Sequence, residues 1–103
     1  MGVELLFHIY INRFTFSEIT HNTAADRYDA IIYLDERATD KEKRANAATM
    51  RKAFDAWLKE SGYTADPAAL TEVPDPCEGR FDTLAGAIAH IEHILRYPDL
   101  LLI

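Results

Sequence analysis

From Val3 to Phe14 the chain reads VELLFHIYINRF, and apolar side chains recur at every second position: Val3, Leu5, Phe7, Ile9 and Ile11. This period, in a stretch rich in β-branched and aromatic residues, predicts a strand. The intervening positions Glu4, Leu6, His8, Tyr10 and Asn12 are themselves half apolar. That pattern suits a strand lying centrally in a sheet or covered by another chain. Phe14, Phe16 and Ile19 suggest that the strand continues or turns back, and the small polar run from His21 to Asp26 reads as a loop. A second period-2 run follows from Arg27 to Asp35, with Tyr28, Ala30, Ile32 and Leu34 on one side and Asp29, Ile31, Tyr33 and Asp35 on the other.

The period then changes to that of a helix. Thr39-Asp40-Lys41-Glu42 has the spacing of a capping box. Ala47, Met50, Phe54, Trp57, Leu58 and Ser61 fall on one side at helical spacing, and Gly62 supplies a left-handed stop. A helix over 40–61 is expected. Residues 63–81 hold Pro67, Pro74 and Pro76 and read as a stiff irregular connector, with one short turn capped by Asp66. Asp82 is placed to cap a second helix over 83–97, whose buried stripe is Leu84, Ala87, Ile88, Ile91, Ile94 and Leu95, and Pro98 ends it. The apolar tail 99–103 is expected to form an edge strand or to dock on a partner. Strands first and helices afterwards give a single domain over 1–103 of α+β class: an antiparallel sheet of 3–4 strands with two main helices packed on one face.

The 103 residues suffice for one modest core. No run approaches the roughly 18 apolar residues of a membrane span. The opening Met-Gly-Val-Glu-Leu-Leu places an acid where a secretory signal carries base, so the expected location is cytoplasmic, with no membrane partner. Cys77 is the sole cysteine, which excludes an internal disulfide. The net charge of −6 argues against nucleic acid as a partner and favours basic ones.

Several places could carry chemistry. His8 and Tyr10 share one face of the first strand and, with Asn12, Tyr33 and Asp35 or Asp29, could line a pocket in which His8 acts as acid or base. His8, Tyr10 and Asp35 are the candidate catalytic groups, against the plain reading of a half-buried polar histidine. His90 and His93 have a spacing that can bring two imidazoles to one metal. At about 240° and 180° around the helix from Leu84, however, both should face solvent, and no third ligand stands at a metal-binding spacing. No cofactor is expected. The connector is acidic through Asp66, Glu72, Asp75, Glu78 and Asp82, which suits a basic partner. Cys77 lies beside acids and is not expected to be nucleophilic.

Seven of the eleven Lys and Arg residues fall between Arg37 and Lys59, so the charge is segregated. On the first helix Lys41, Arg44, Arg51, Lys52 and Lys59 form a basic stripe, with Asp55 able to pair with Arg51 and Lys59. The function expected from these features is that of a small acidic interaction protein, an inhibitor, adaptor or assembly subunit. It would act through charged surfaces (Arg44, Arg51, Lys52, Lys59, Asp75 and Glu78) and an apolar edge that includes Leu101 and Ile103, as a homodimer or in a protein complex. The alternative is a small dimeric enzyme or ligand-binding domain built on the His8/Tyr10 face.

Overall fold

The computed structural model describes residues 2–70 and 75–102. Four strands, β1 (Val3–Asn12), β2 (Thr15–Asn22), β3 (Arg27–Tyr33) and β4 (Glu78–Phe81), form one antiparallel sheet in the order β1-β2-β3-β4. Helix α1 (Asp40–Ser61) enters between β3 and β4, and α2 (Leu84–Arg96) follows β4. The architecture is α+β, with both helices on the same side of the sheet.

Local chemistry sets most of the boundaries. The Asn12 side chain accepts a hydrogen bond from the Phe14 amide at 2.9 Å and closes the β1–β2 turn. Asn22 does the same for Ala25 at 3.1 Å, and Asp26 takes a left-handed φ of 53° before β3 begins. Thr39 caps α1 reciprocally with Glu42, both bonds being 3.1 Å, and Gly62 stops the helix at φ 78°.

The core lies between sheet and helices. Phe7, Ile19, Ala30 and Ile32 meet Met50 and Phe54 of α1 and Ala87, Ile88, Ile91, Ile94 and Leu95 of α2. Phe7 stands edge-on to Phe54 at 5.3 Å and 5.2 Å from Trp57, so the first strand is fastened to α1 by aromatic contacts. Ser17 and Thr15 are fully buried and satisfied: Ser17 donates to the Ile31 carbonyl at 2.8 Å, and Thr15 accepts from the Asp35 amide at 3.1 Å.

Five expectations are corrected. The strand β1 is not central; it is an edge. Its apolar positions do not share one face, because Leu6 is an extra residue between the pairs Leu5↔Thr20 and Phe7↔Ile19. A bulge of this kind shifts the alternation by one, so Val3 and Leu5 lie on the opposite face from Phe7 and Ile9. The connector is not irregular up to Phe81, since residues 78–81 form β4. With that edge taken, the tail is not a strand: Pro98–Leu101 form a 3-10 turn in which Leu101 packs against the core. Ile103 lies outside the described residues. Finally, Thr83 and not Asp82 caps α2, accepting from the Gly86 amide at 3.1 Å.

Candidate functional site

The strand register sorts the sheet into two faces. Facing the helices are Phe7, Ile9, Ser17, Ile19, Ala30, Ile32, Gly79 and Phe81. Among the described residues, the other face carries no helix. Its rows across the sheet are Val3–Asn22–Arg27, then Leu5–Thr20–Asp29–Arg80, then His8–Glu18–Ile31–Glu78, then Tyr10–Phe16–Tyr33. This open face gathers exposed apolar groups. Val3 is 68% exposed, Leu5 56% and Tyr10 57%, and Phe14 in the adjoining turn is 41% exposed.

Charge is graded across the same surface. At the β4 margin Asp29 pairs with Arg80 at 3.0 Å, the Tyr33 hydroxyl donates to Glu78, and Asp75 accepts from the Cys77 amide at 2.9 Å. The hydrogen bond and charge of Glu78, with some burial, push the Tyr33 phenol up to about 12. A shallow concavity of about 540 Å³ lies here, lined by Thr20, Asp29, Ile31, Asp75, Glu78 and Arg80. At the turn end, a second of about 510 Å³ runs over Phe14, Phe16, Tyr33 and Leu34. There the guanidinium carbons of Arg13 and Arg37 stand 4.7 and 4.4 Å from the centre of the Phe14 ring.

The residues singled out for catalysis are not assembled. His8 and Tyr10 do share the open face, with rings 6.1 Å apart, but both are exposed and neither lines either of these two concavities. Asp35 lies two residues beyond β3, and its carboxylate takes the Arg37 amide at 3.0 Å and the guanidinium at 3.1 and 3.2 Å. Those bonds hold its acidity below the usual carboxylate range. The nearest acid to His8 by register is Glu18, directly opposite it.

The histidine pair departs further from expectation. His90 does not face solvent; it is fully buried against Phe81, with ring centres 5.2 Å apart. Neither ring nitrogen has a hydrogen-bond partner among the described residues. Burial pushes its basicity down, partly offset by the nearby Pro76 backbone and Asp75, with His93 adding to the depression. The physical reason is that α2 is covered on both flanks, by the sheet and by the connector, so its buried arc is wider than one stripe. His93 is half-buried with its ring 5.1 Å from Tyr97. Among the described residues no three His, Cys, Asp or Glu side chains converge as a metal site would need.

No family model, characterised protein or solved structure matches this chain. The site is therefore read from its own residues.

The charged groups named for docking are dispersed. On α1, Arg44 reaches Asp99 of the C-terminal turn at 3.1 Å and Arg51 approaches Asp55 at 3.8 Å. Lys52 and Lys59 form no ion pair among the described residues. Asp75 and Glu78 border the open face; Leu101 is drawn into the core. Burial, then Asp75, Glu78 and Glu36, push the Cys77 thiol up, away from thiolate chemistry. The sequence marks the first strand as apolar enough to be covered by another chain, but places Val3 and Leu5 on the same face as Phe7 and Ile9; the Arg13–Phe14–Arg37 group was not singled out. The bulge left no sign in the sequence, since Leu6 is as apolar as Leu5 and Phe7, whereas Arg-Phe between two alternating runs was the sign of the turn.

Proposed function

We propose that this protein is a small acidic interaction module that docks a protein partner on the helix-free face of its sheet. One observation carries the reading. Of the seven large apolar or aromatic side chains that are exposed among the described residues, four (Val3, Leu5, Tyr10 and Phe14) belong to β1 and the turn after it. Clustered exposure of this kind marks an interaction surface, whereas scattered exposure does not. Several ionisable groups on and beside the face are engaged with one another, as in Asp29–Arg80, Tyr33–Glu78 and Asp35–Arg37, which supports docking over catalysis. The acidic margin at Asp75 and Glu78 suits a partner that brings an apolar patch with a basic group beside it.

The test compares partner capture from source-cell lysate by the wild type, an open-face variant (Tyr10→Glu) and a helix variant (Lys52→Glu with Lys59→Glu). All three substituted positions are exposed, so circular dichroism should report an unchanged fold. Partners should be lost from Tyr10→Glu and retained by the helix variant. The opposite pattern would move the docking surface to α1.

A further inference from the structure

We infer that the occupant of the β1 edge is a second copy of this chain, paired antiparallel through a two-fold axis between Leu6 and Phe7. This rests on the docking reading above and names the partner of its apolar margin. The argument begins with the backbone. As an edge, β1 leaves a row of amide and carbonyl groups with no strand beside them among the described residues. It spans ten residues, carries one formal charge (Glu4), and contains neither lysine nor proline. The opposite edge, β4, has four residues, two of them charged, and follows Pro76 closely. Only the β1 side is built to accept a long strand.

The bulge then selects the register. Outward residues are Val3, Leu5, His8 and Tyr10, while Glu4, Phe7 and Ile9 face the helices and Leu6 packs with the core. Residues opposed in an antiparallel pair share a face. With the axis between Leu6 and Phe7, Val3 opposes Tyr10 of the second copy, Glu4 opposes Ile9, Leu5 opposes His8 and Leu6 opposes Phe7. Every pair from Val3 to Tyr10 matches. Sliding by one residue sets Val3 against Ile9 or Glu4 against Tyr10. Sliding by two sets Leu5 against Leu6 or Phe7 against His8. Each alternative opposes an outward residue to an inward one. In the matching register the two bulges meet at the axis, so neither leaves its extra residue without a counterpart.

Charge agrees with this arrangement, and exposed apolar surface contributes to it. The two Glu4 residues lie five rows apart, about 17 Å along the strands, which exceeds the Debye length of about 8 Å. The exposed parts of Val3, Leu5 and Tyr10 amount to on the order of 300 Å² per copy, against about 800 Å² per partner in a standard interface. The paired backbones, with half-buried Leu6 and Ile9, extend the contact beyond those three side chains. The symmetry is closed, so pairing ends at two chains.

The experiment uses the full chain with Cys77→Ser as background. Sedimentation velocity at tens of micromolar should report a dimer, and Leu5→Lys should weaken it at least tenfold. The doubly substituted Leu5→Cys/His8→Cys chain should oxidise to a covalent dimer, because facing Cβ atoms lie about 4.5–5.5 Å apart. Leu5→Cys alone should not, because the two copies of that position are three rows apart, about 10 Å. A wild-type monomer would overturn the inference. So would a dimer in which the single and double cysteine variants cross-link alike. If the protein is monomeric but Tyr10→Glu still loses lysate partners, the docking face stands and its occupant is a different protein. If neither holds, both readings fall.

Discussion

His90 shows how one side chain ties stability to acidity. Its imidazole is buried without hydrogen-bond partners among the described residues, between Phe81 and the Pro76 backbone, with Asp75 and His93 as the charged or titratable neighbours. Its folded-state basicity is depressed, so the unfolded chain binds a proton more readily. Stability from this site is therefore complete above the unfolded value of about 6.5 and is lost as pH falls below it. Urea denaturation at about pH 7.5 and about pH 5.5 should show this loss in the wild type. His90→Leu, which removes the buried titratable ring, should reduce the loss, and a variant with the same pH slope would assign the effect elsewhere. The burial of His90 was not legible in the sequence. A helical wheel drawn about a single stripe puts it on the solvent side, and β4, through Phe81, covers it together with the connector at Pro76.

Among the elements, α1 was the most legible and β4 the least. A hydroxyl three residues before a glutamate, a helix interior without Gly or Pro, and a terminal glycine point to one structure at every level, and all three devices are formed. Thr39→Ala removes one of the two capping bonds and should cost about 1 kcal/mol, read as a lower urea midpoint with an unchanged slope. In β4, four residues hidden among prolines offer only Arg80 and Phe81 as alternating signals. What places the strand is tertiary: Gly79 lets the Phe81 ring sit where a Cβ would be, 2.5 Å from its Cε2 atom. The strand β1 was legible as a strand but not as two half-strands of opposite facing. Leu6 is as apolar as its neighbours, so the pattern reads smoothly whether or not a residue is inserted.

At the scale of the molecule, the α+β class and the helix pairing followed from the order of periodicities. His8, Tyr10 and Tyr33 do share one face of the sheet, as the alternation implies, but that face is open and not a pocket. The strand order was not legible, because an apolar edge and a buried central strand have the same composition. They differ only in what lies beside them.

Trp57 gives this arrangement a practical use. It is the sole tryptophan, and its ring lies 5.2 Å from Phe7, whose backbone belongs to β1. The indole thus sits beneath the strand that borders solvent, on the helix-facing side of its edge. Its emission should report arrivals at that strand without any label. Fluorescence titrated by dilution should shift at the concentration where sedimentation shows dissociation, and Leu5→Lys should start from the shifted spectrum.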